Sequence, residues 1–298
     1  MIGFGLVHGY QKSTRHVSKM MAGEPHTLNC LSCHAYTERD GLLTRMSEPD
    51  YLSPFNLAVD PKTGNLLVIA QDAEQLIKLN PSTKEIEGRL QLERRPHNIV
   101  IDPSSGKAYV SNQWSNNISS INIDKLQTEN TIAVGGGPGG LTIDFENNTL
   151  FVANTYTDDI SLIDLSTEKE IKRLAAGNEP IGVVTANGIS SKIAVSSRRA
   201  HPDQFRTQPK TEITFINTAN QRVSSREIVT SGHIMENIAF SEKRHLSIAT
   251  LISPKNLVPS VQIEQGWMMN HGISVVNTET GQATKFLLDE PNAVSYTH

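Results

Sequence analysis

Two thiols and an imidazole are gathered in the run Cys30-Leu31-Ser32-Cys33-His34, and the chain has no other cysteine. Two cysteines are too few to staple a chain of 298 residues by disulfides. The C-x-x-C-H spacing has a narrower use. Two thiols separated by two residues can each add to one vinyl group of a porphyrin, and the histidine that follows at once reaches the iron as an axial ligand. The motif predicts one covalently attached haem c per chain, held by Cys30 and Cys33 with His34 on the metal. A bare C-x-x-C would also serve as a redox dithiol or as half of a zinc site. The dithiol reading needs a βαβ pattern, which this sequence lacks, and the zinc reading needs two further ligands, for which His16 and His26 are at hand.

Upstream lies Tyr10-Gln11-Lys12-Ser13-Thr14-Arg15-His16. It resembles the Tyr-x-x-Ser…His stretch that precedes C-x-x-C-H in multihaem cytochromes, although two residues separate Ser13 from His16 where one is common. The resemblance implies that His16 is a distal ligand, of this haem or of another one upstream. His8, His26, Met20, Met21 and Met46 compete for the sixth position, and a methionine would raise the reduction potential relative to a bis-histidine pair. An iron left five-coordinate would instead bind small molecules.

The elements that must carry this segment are read from a repeat. Pro54, Pro96, Pro138 and Pro180 stand 42 residues apart and open similar runs: PFNLAVDP, PHNIVIDP, PGGLTIDF and PIGVVTAN. Each is followed by a Gly-, Asn-, Ser- or Lys-rich turn and further short apolar runs, such as NLLVIAQ, QLIKLN and EIEGRLQL in the first unit. A fifth unit begins near His233. Four short β-type runs recurring at this period predict an all-β fold, a β-propeller of four-stranded blades starting near 54, 96, 138, 180 and 233. Residues 1–50 would form the haem-binding segment and 51–298 the propeller. Five blades make an open ring with an unpaired edge, which natural sheets avoid, so further blades or haems are expected beyond the chain ends. The runs AYVSN and LFVANT, with the third strands ISLIDL and ISVVNT, resemble the YVTN-repeat β-propeller family. That resemblance implies the fold and leaves function to the site.

Extra residues enter units 4 and 5 between the second and third strands, at Arg198–Lys210 and Ser253–His271, where unit 3 uses only Thr155–Asp159. In an up-and-down blade these loops share a rim with the connection into the first strand. The rim therefore should carry His97, His201, His233, His271, Trp114, Trp267, Met268 and Met269. The haem segment joins the propeller through Tyr51–Pro54 at that same rim, so the haem is expected to pack there, with the insertions beside it. Asp60, Asp102 and Asp144 recur after the first strands and read as turn residues.

A net charge of -4 and 19% charged residues argue against a nucleic-acid binder, and no run of apolar residues is long enough to span a membrane. No Ser-His-Asp order, P-loop, H-E-x-x-H helix or EF-hand loop is present. Electron transfer with a redox partner protein is the favoured reading. The alternatives are a haem oxidoreductase, whose layout resembles haem-containing nitrite reductases or a peroxidase-coupled propeller, and a non-catalytic surface-binding propeller. Covalent haem attachment implies a periplasmic or extracellular location.

Overall fold

The computed structural model describes residues 36–39, 42–45, 52–185, 191–201, 209–230, 232, 234–254 and 269–288. Cys30, Cys33, His34 and His16 lie outside the described residues. The chain divides into two compact units, Met1–Leu52 and Ser53–His298. In the first, β1 (Tyr36–Arg39) pairs antiparallel with β2 (Leu42–Arg45), Tyr36 opposite Arg45. Asp40-Gly41 stands between them, a dipeptide favoured in two-residue hairpin connections.

Among the described residues, the second unit contains five four-stranded antiparallel sheets, each a meander of consecutive strands, as the repeat predicts for a propeller. Blade 1 is β3 (Pro54–Val59), β4 (Leu66–Ala70), β5 (Gln75–Asn80) and β6 (Glu85–Gln91). Blade 2 is β7 (Pro96–Asp102), β8 (Lys107–Asn112), β9 (Asn117–Asn122) and β10 (Gln127–Ala133). Blade 3 is β11 (Pro138–Asp144), β12 (Thr149–Asn154), β13 (Asp159–Asp164) and β14 (Lys169–Ala175). Blade 4 is β15 (Pro180–Thr185), β16 (Lys192–Ser197), β17 (Lys210–Asn217) and β18 (Arg222–Thr230). Blade 5 is β19 (Ile234–Ser241), β20 (Leu246–Pro254), β21 (Met269–Asn277) and β22 (Ala283–Leu287). In blade 5 the β20–β21 ladder runs on to Pro254 opposite Met269, so Ser253, Asn270 and His271 are strand residues rather than part of the expected loop. Continued pairing is the reason, because it satisfies backbone groups a loop would leave to solvent.

Most of the described turns use the same backbone device. Ser53, Arg95, Gly137 and Glu179, each immediately before an opening proline, have φ of 45°, 53°, 65° and 50°. Glu74, Asn116 and Asp158 repeat the left-handed conformation before the third strand, and Lys84, Leu126 and Glu168 before the fourth. Glycine is the residue that adopts it without strain, yet most of these positions carry a side chain.

Consecutive blades meet through their first strands, β3 on β7, β7 on β11, β11 on β15 and β15 on β19. The face that a blade turns to its predecessor is here called leading, and the opposite one trailing. Leu67, Ile69 and Leu76 on the trailing face of blade 1 pack on Ile99, Val110 and Ile121 of blade 2. Tyr109, Ile118 and Ile132 of blade 2 pack in turn on Leu141, Ile143, Leu150 and Val152 of blade 3. The same layering continues through Phe151, Ile160 and Leu162 onto Ile193 and Val195, and through Ile213, Phe215 and Val229 onto Met235, Ala249 and Leu251. Burial of this apolar surface is the main favourable contribution to the fold.

Each first strand carries a bulge near its start, between Pro54 and Asn56, Pro96 and Asn98, Pro138 and Leu141, Pro180 and Gly182, and Met235 and Ile238. Carbonyls at the bulges accept hydrogen bonds from the preceding blade. Gln71 Nε2 donates to Pro96 O (3.0 Å), Ser111 Oγ to Gly139 O (2.7 Å), Thr155 Oγ1 to Pro180 O (3.0 Å) and Ser196 Oγ to Glu236 O (2.8 Å). Glycines allow the approach. A Cβ on Gly140 would collide with the Ile181 carbonyl, and one on Gly182 would lie 2.6 Å from Glu236 O.

Asp60, Asp102 and Asp144 do close turns. Asp60 accepts from Lys62 N (3.0 Å) and Thr63 Oγ1 (2.6 Å), Asp102 from Ser104 N (2.9 Å) and Ser105 Oγ (2.6 Å), and Asp144 from Glu146 N (3.1 Å). Burial alone would raise the carboxyl pKa of Asp60 and Asp102. The hydroxyl and amide donors outweigh it and hold both below the usual value. Their contribution to stability is thus complete above the ordinary carboxylate range and is lost as pH falls through the lowered values.

Two substitutions test this account by denaturant unfolding. Gly140→Ala forces backbone apart at the closest blade contact and is expected to destabilise by about 1–3 kcal/mol, the usual range for overpacking. Lys84→Gly, at an exposed turn residue with φ of 62°, is expected to stabilise slightly. Relief of a left-handed side chain, roughly 1–2 kcal/mol, outweighs the roughly 0.5–1 kcal/mol of added chain entropy.

Candidate functional site

The loops entering each first strand and those joining second to third strands lie together on one rim, as the sequence predicts, and they are hydrogen-bonded to each other. Gln71 N donates to Ser53 O (3.0 Å), Gln113 N to Arg95 O (2.9 Å), Thr155 N to Gly137 O (2.9 Å) and Arg198 N to Glu179 O (2.7 Å). This rim carries His97, Trp114 and His201. His271 lies in β21 and Met269 begins that strand. His233, Trp267 and Met268 lie outside the described residues. Among the described residues, no group of three or more His, Cys, Asp or Glu side chains is arranged to hold a metal ion.

His97 follows Pro96 at the start of β7, with its ring 4.9 Å from that of Phe55 on the neighbouring blade. Its Nδ1 is buried and has no hydrogen-bond partner. Burial, and then the positive charges of Arg95 and Arg198, push its pKa down to about 4. Two guanidinium groups from the second and fourth blades thus act on one imidazole. Arg95 is placed by Gln113 Oε1 (3.2 Å) and by the Trp114 ring, 4.7 Å from its guanidinium carbon, and Arg94 also stands over that ring at 5.8 Å. Arg198 pairs with Glu236 at 3.1 Å and Arg199 with Glu179 at 2.9 Å.

His201 sits where blade 4 departs from the repeat. In blades 2 and 3 the last residue of the second strand is an asparagine that bonds into the third strand: Asn112 to Asn117 (2.9 Å) and Ser119 (2.8 Å), Asn154 to Asp159 (2.6 Å) and Ser161 (2.7 Å). These buried contacts hold the ladder and have no catalytic meaning. Blade 4 has Ser197 in place of asparagine, and Glu212 stands next to Ile213, the partner of Ser196. The Glu212 carboxylate, 3% exposed, is bound on Oε1 by Arg226 Nη1 (2.8 Å) and Thr214 Oγ1 (2.9 Å). Its Oε2 lies 2.7 Å from His201 Nε2. Gly177 makes room, since a Cβ there would come within 2.5 Å of Glu212 Cγ. In a neutral ring whose Nε2 donates to the carboxylate, Nδ1 keeps a lone pair, the arrangement by which a carboxylate orients a ligating or proton-accepting imidazole. The inserted residues from Arg198 onward pointed to His201, but nothing in the sequence marked Glu212 or Arg226 as its partners.

No family model matches the chain. No curated protein matches it either. Among solved structures it is similar to hydrazine synthase of Kuenenia stuttgartiensis, with TM-score 0.73 and 19% identity over 86% of this chain and 71% of that one. It is similar to the dihydro-haem d1 dehydrogenase NirN in complex with DHE, with TM-score 0.57 and 14% identity over 78% of this chain and 46% of that one. A streptogramin B lyase structure matches with TM-score 0.57 and 15% identity over 83% of this chain and 72% of that one. At these identities the likeness concerns the fold.

The half-buried His97 makes stability depend on pH. Its folded pKa of about 4 lies below the ordinary 6.5, so the unfolded chain binds the extra proton between these values. Stability is complete above about pH 6.5 and declines as pH falls toward 4, by up to about 3 kcal/mol from this group. Urea titrations across that window should show a steeper decline for the parent than for His97→Asn; equal slopes would refute the burial of a neutral imidazole.

Proposed function

We propose that the chain is a c-type cytochrome in which a propeller carries one covalent haem and passes single electrons to and from a partner protein outside the cytoplasm. The observation that carries this reading is the Cys30-Leu31-Ser32-Cys33-His34 run directly ahead of a propeller. Two thioethers would fix the porphyrin, His34 would take one axial position, and His16 is the first choice for the other. The haem, when bound, supplies the one-electron chemistry. Support for a haem-associated propeller comes from the similar fold of NirN, a dihydro-haem d1 dehydrogenase. The rim with its arginines and Trp114 offers the partner a charged and aromatic surface.

A second reading, a haem oxidoreductase, is favoured by one observation, the His201–Glu212 pair at 2.7 Å. An imidazole backed by a buried carboxylate is suited to holding a second iron or accepting a proton from substrate. Neither role follows from packing alone.

The decisive measurement is a pyridine haemochrome spectrum with intact mass after expression with haem-attachment machinery. One covalent haem is expected, absent from the Cys30→Ala, Cys33→Ala double variant; colourless mature protein, or zinc bound at these cysteines, would sink the proposal. His16→Ala should then change the spectrum and shift the potential by tens of millivolts or more. Adding nitrite or peroxide separates carrier from catalyst, since a saturated iron leaves the spectrum unchanged. If it responds, Glu212→Gln should weaken turnover more than binding.

A further inference from the structure

In each up-and-down blade the turns joining first to second and third to fourth strands lie on the face away from the rim. On that face the seam between blades 1 and 2 opens into a recess of about 210 Å³, walled by Ile101, Pro103, Gly106 and Ile123 and flanked by Lys62 and Asp124. The residues 42 positions further on hold the same places in the seam between blades 2 and 3, and two of them are larger, Phe145 for Pro103 and Asn148 for Gly106. Ile143, in the place of Ile101, is 3% exposed, whereas Ile101 is only half-buried. A Cβ on Gly106 would meet nothing within 4 Å. The repeat thus leaves space at this seam where the next one carries a phenyl ring and an amide.

Charge breaks the repeat at the same point. Lys62 Nζ stands 3.1 Å from Asp124 Oδ2 across the seam, and the same places in the next seam hold Ser104 and Ser166. Both side chains are well exposed, at 73% and 63%, so the pair contributes little to stability and opens readily. Asp60 also lines the recess, but its carboxylate already accepts from Lys62 N and Thr63 Oγ1. Lys78 Nζ donates to Ile123 O at 3.4 Å. The two charges left to meet a ligand are therefore one ammonium and one carboxylate.

Size and charge together select an occupant. The recess is smaller than the roughly 300–1,000 Å³ of sites for drug-sized ligands and larger than an apolar cavity of about 150 Å³, which takes up benzene. It has room for one branched or ring-bearing apolar side chain. We propose that it binds a free α-amino acid with a side chain of leucine size, the carboxylate on Lys62, the ammonium on Asp124 and the side chain against Ile101, Pro103 and Ile123. A zwitterion is the ligand that replaces each member of the Lys62–Asp124 pair for the other, so neither charge is left unpaired on binding. The inference does not depend on the haem.

The test is calorimetric titration of L-leucine into the full chain, with 3-methylbutylamine and 4-methylpentanoate as ligands lacking one charged group each. Leucine should saturate one site per chain, and the two analogues should bind at least tenfold more weakly. Pro103→Phe and Gly106→Asn place in this seam the residues that blade 3 carries, and each should weaken leucine at least tenfold. Asn148 holds the left-handed conformation of Gly106, with φ of 48° against 67°, so the second variant keeps its turn. Circular dichroism and melting identify any variant that does not fold, and either of the two suffices for the test. Lys62→Met should weaken leucine at least tenfold and leave 3-methylbutylamine unchanged. No saturable binding of leucine by the parent, or binding undiminished in the folded filled-recess variants, would overturn the site. Equal binding of leucine and both analogues would overturn recognition of the zwitterion.

Discussion

The closeness of neighbouring first strands is the constraint on which the propeller depends. Where β11 meets β15 and β15 meets β19, there is no room for a Cβ at Gly140 or Gly182. Backbone brought that close must have its carbonyls satisfied, since a buried unpaired carbonyl costs as much as a lost hydrogen bond. The bulges supply the answer, turning carbonyls out of their own ladder toward Ser111, Thr155 and Ser196 on the preceding blade. Apolar layers give the blades their attraction, while these bonds set the rotation of one blade on the next. A seam needing both is less tolerant than an apolar contact alone, because slippage would bury unpaired carbonyls.

Much of this was legible in the chain. The 42-residue spacing of Pro54, Pro96, Pro138 and Pro180 announced the blades, and the rim assignment followed from strand order. What escaped was the backbone conformation of the turns. Gly64, Gly106 and Gly137 advertise left-handed positions, but Arg95, Leu126 and Glu168 hold the same conformation with side chains that ordinarily avoid it. Tertiary context overrode local preference. Glu168 accepts from Lys107 Nζ at 2.8 Å and from Ser120 Oγ at 2.6 Å on the neighbouring blade. Such contacts between residues 48 or 61 positions apart have no sequence signature.

The site was legible by halves. The proposed haem ligands Cys30, Cys33 and His34 lie outside the described residues and rest on their spacing alone, because thioether attachment would require adjacency along the chain. His201 could be placed on the rim from insertion length, yet its meaning comes from Glu212, which stands eleven residues on and reads as one acidic residue in an ordinary strand. Only alignment of blade 4 with blades 2 and 3 shows that the longer Glu212 stands where those blades have Asn117 and Asp159. A repeat protein advertises function where one unit breaks the pattern, since whatever serves the fold alone recurs.

His97 and His201 show how one rim can keep two imidazoles in different surroundings. His97 is surrounded by apolar surface and by Arg95 and Arg198, so a proton on its ring meets both poor solvation and like charge. His201 faces a carboxylate that fixes which nitrogen donates. Arg198 is itself paired with Glu236, so part of the positive charge beside His97 is compensated on the same rim. Environment, more than residue type, therefore divides the labour among the rim histidines, and the repeat beneath them supplies the rigidity that keeps those environments apart.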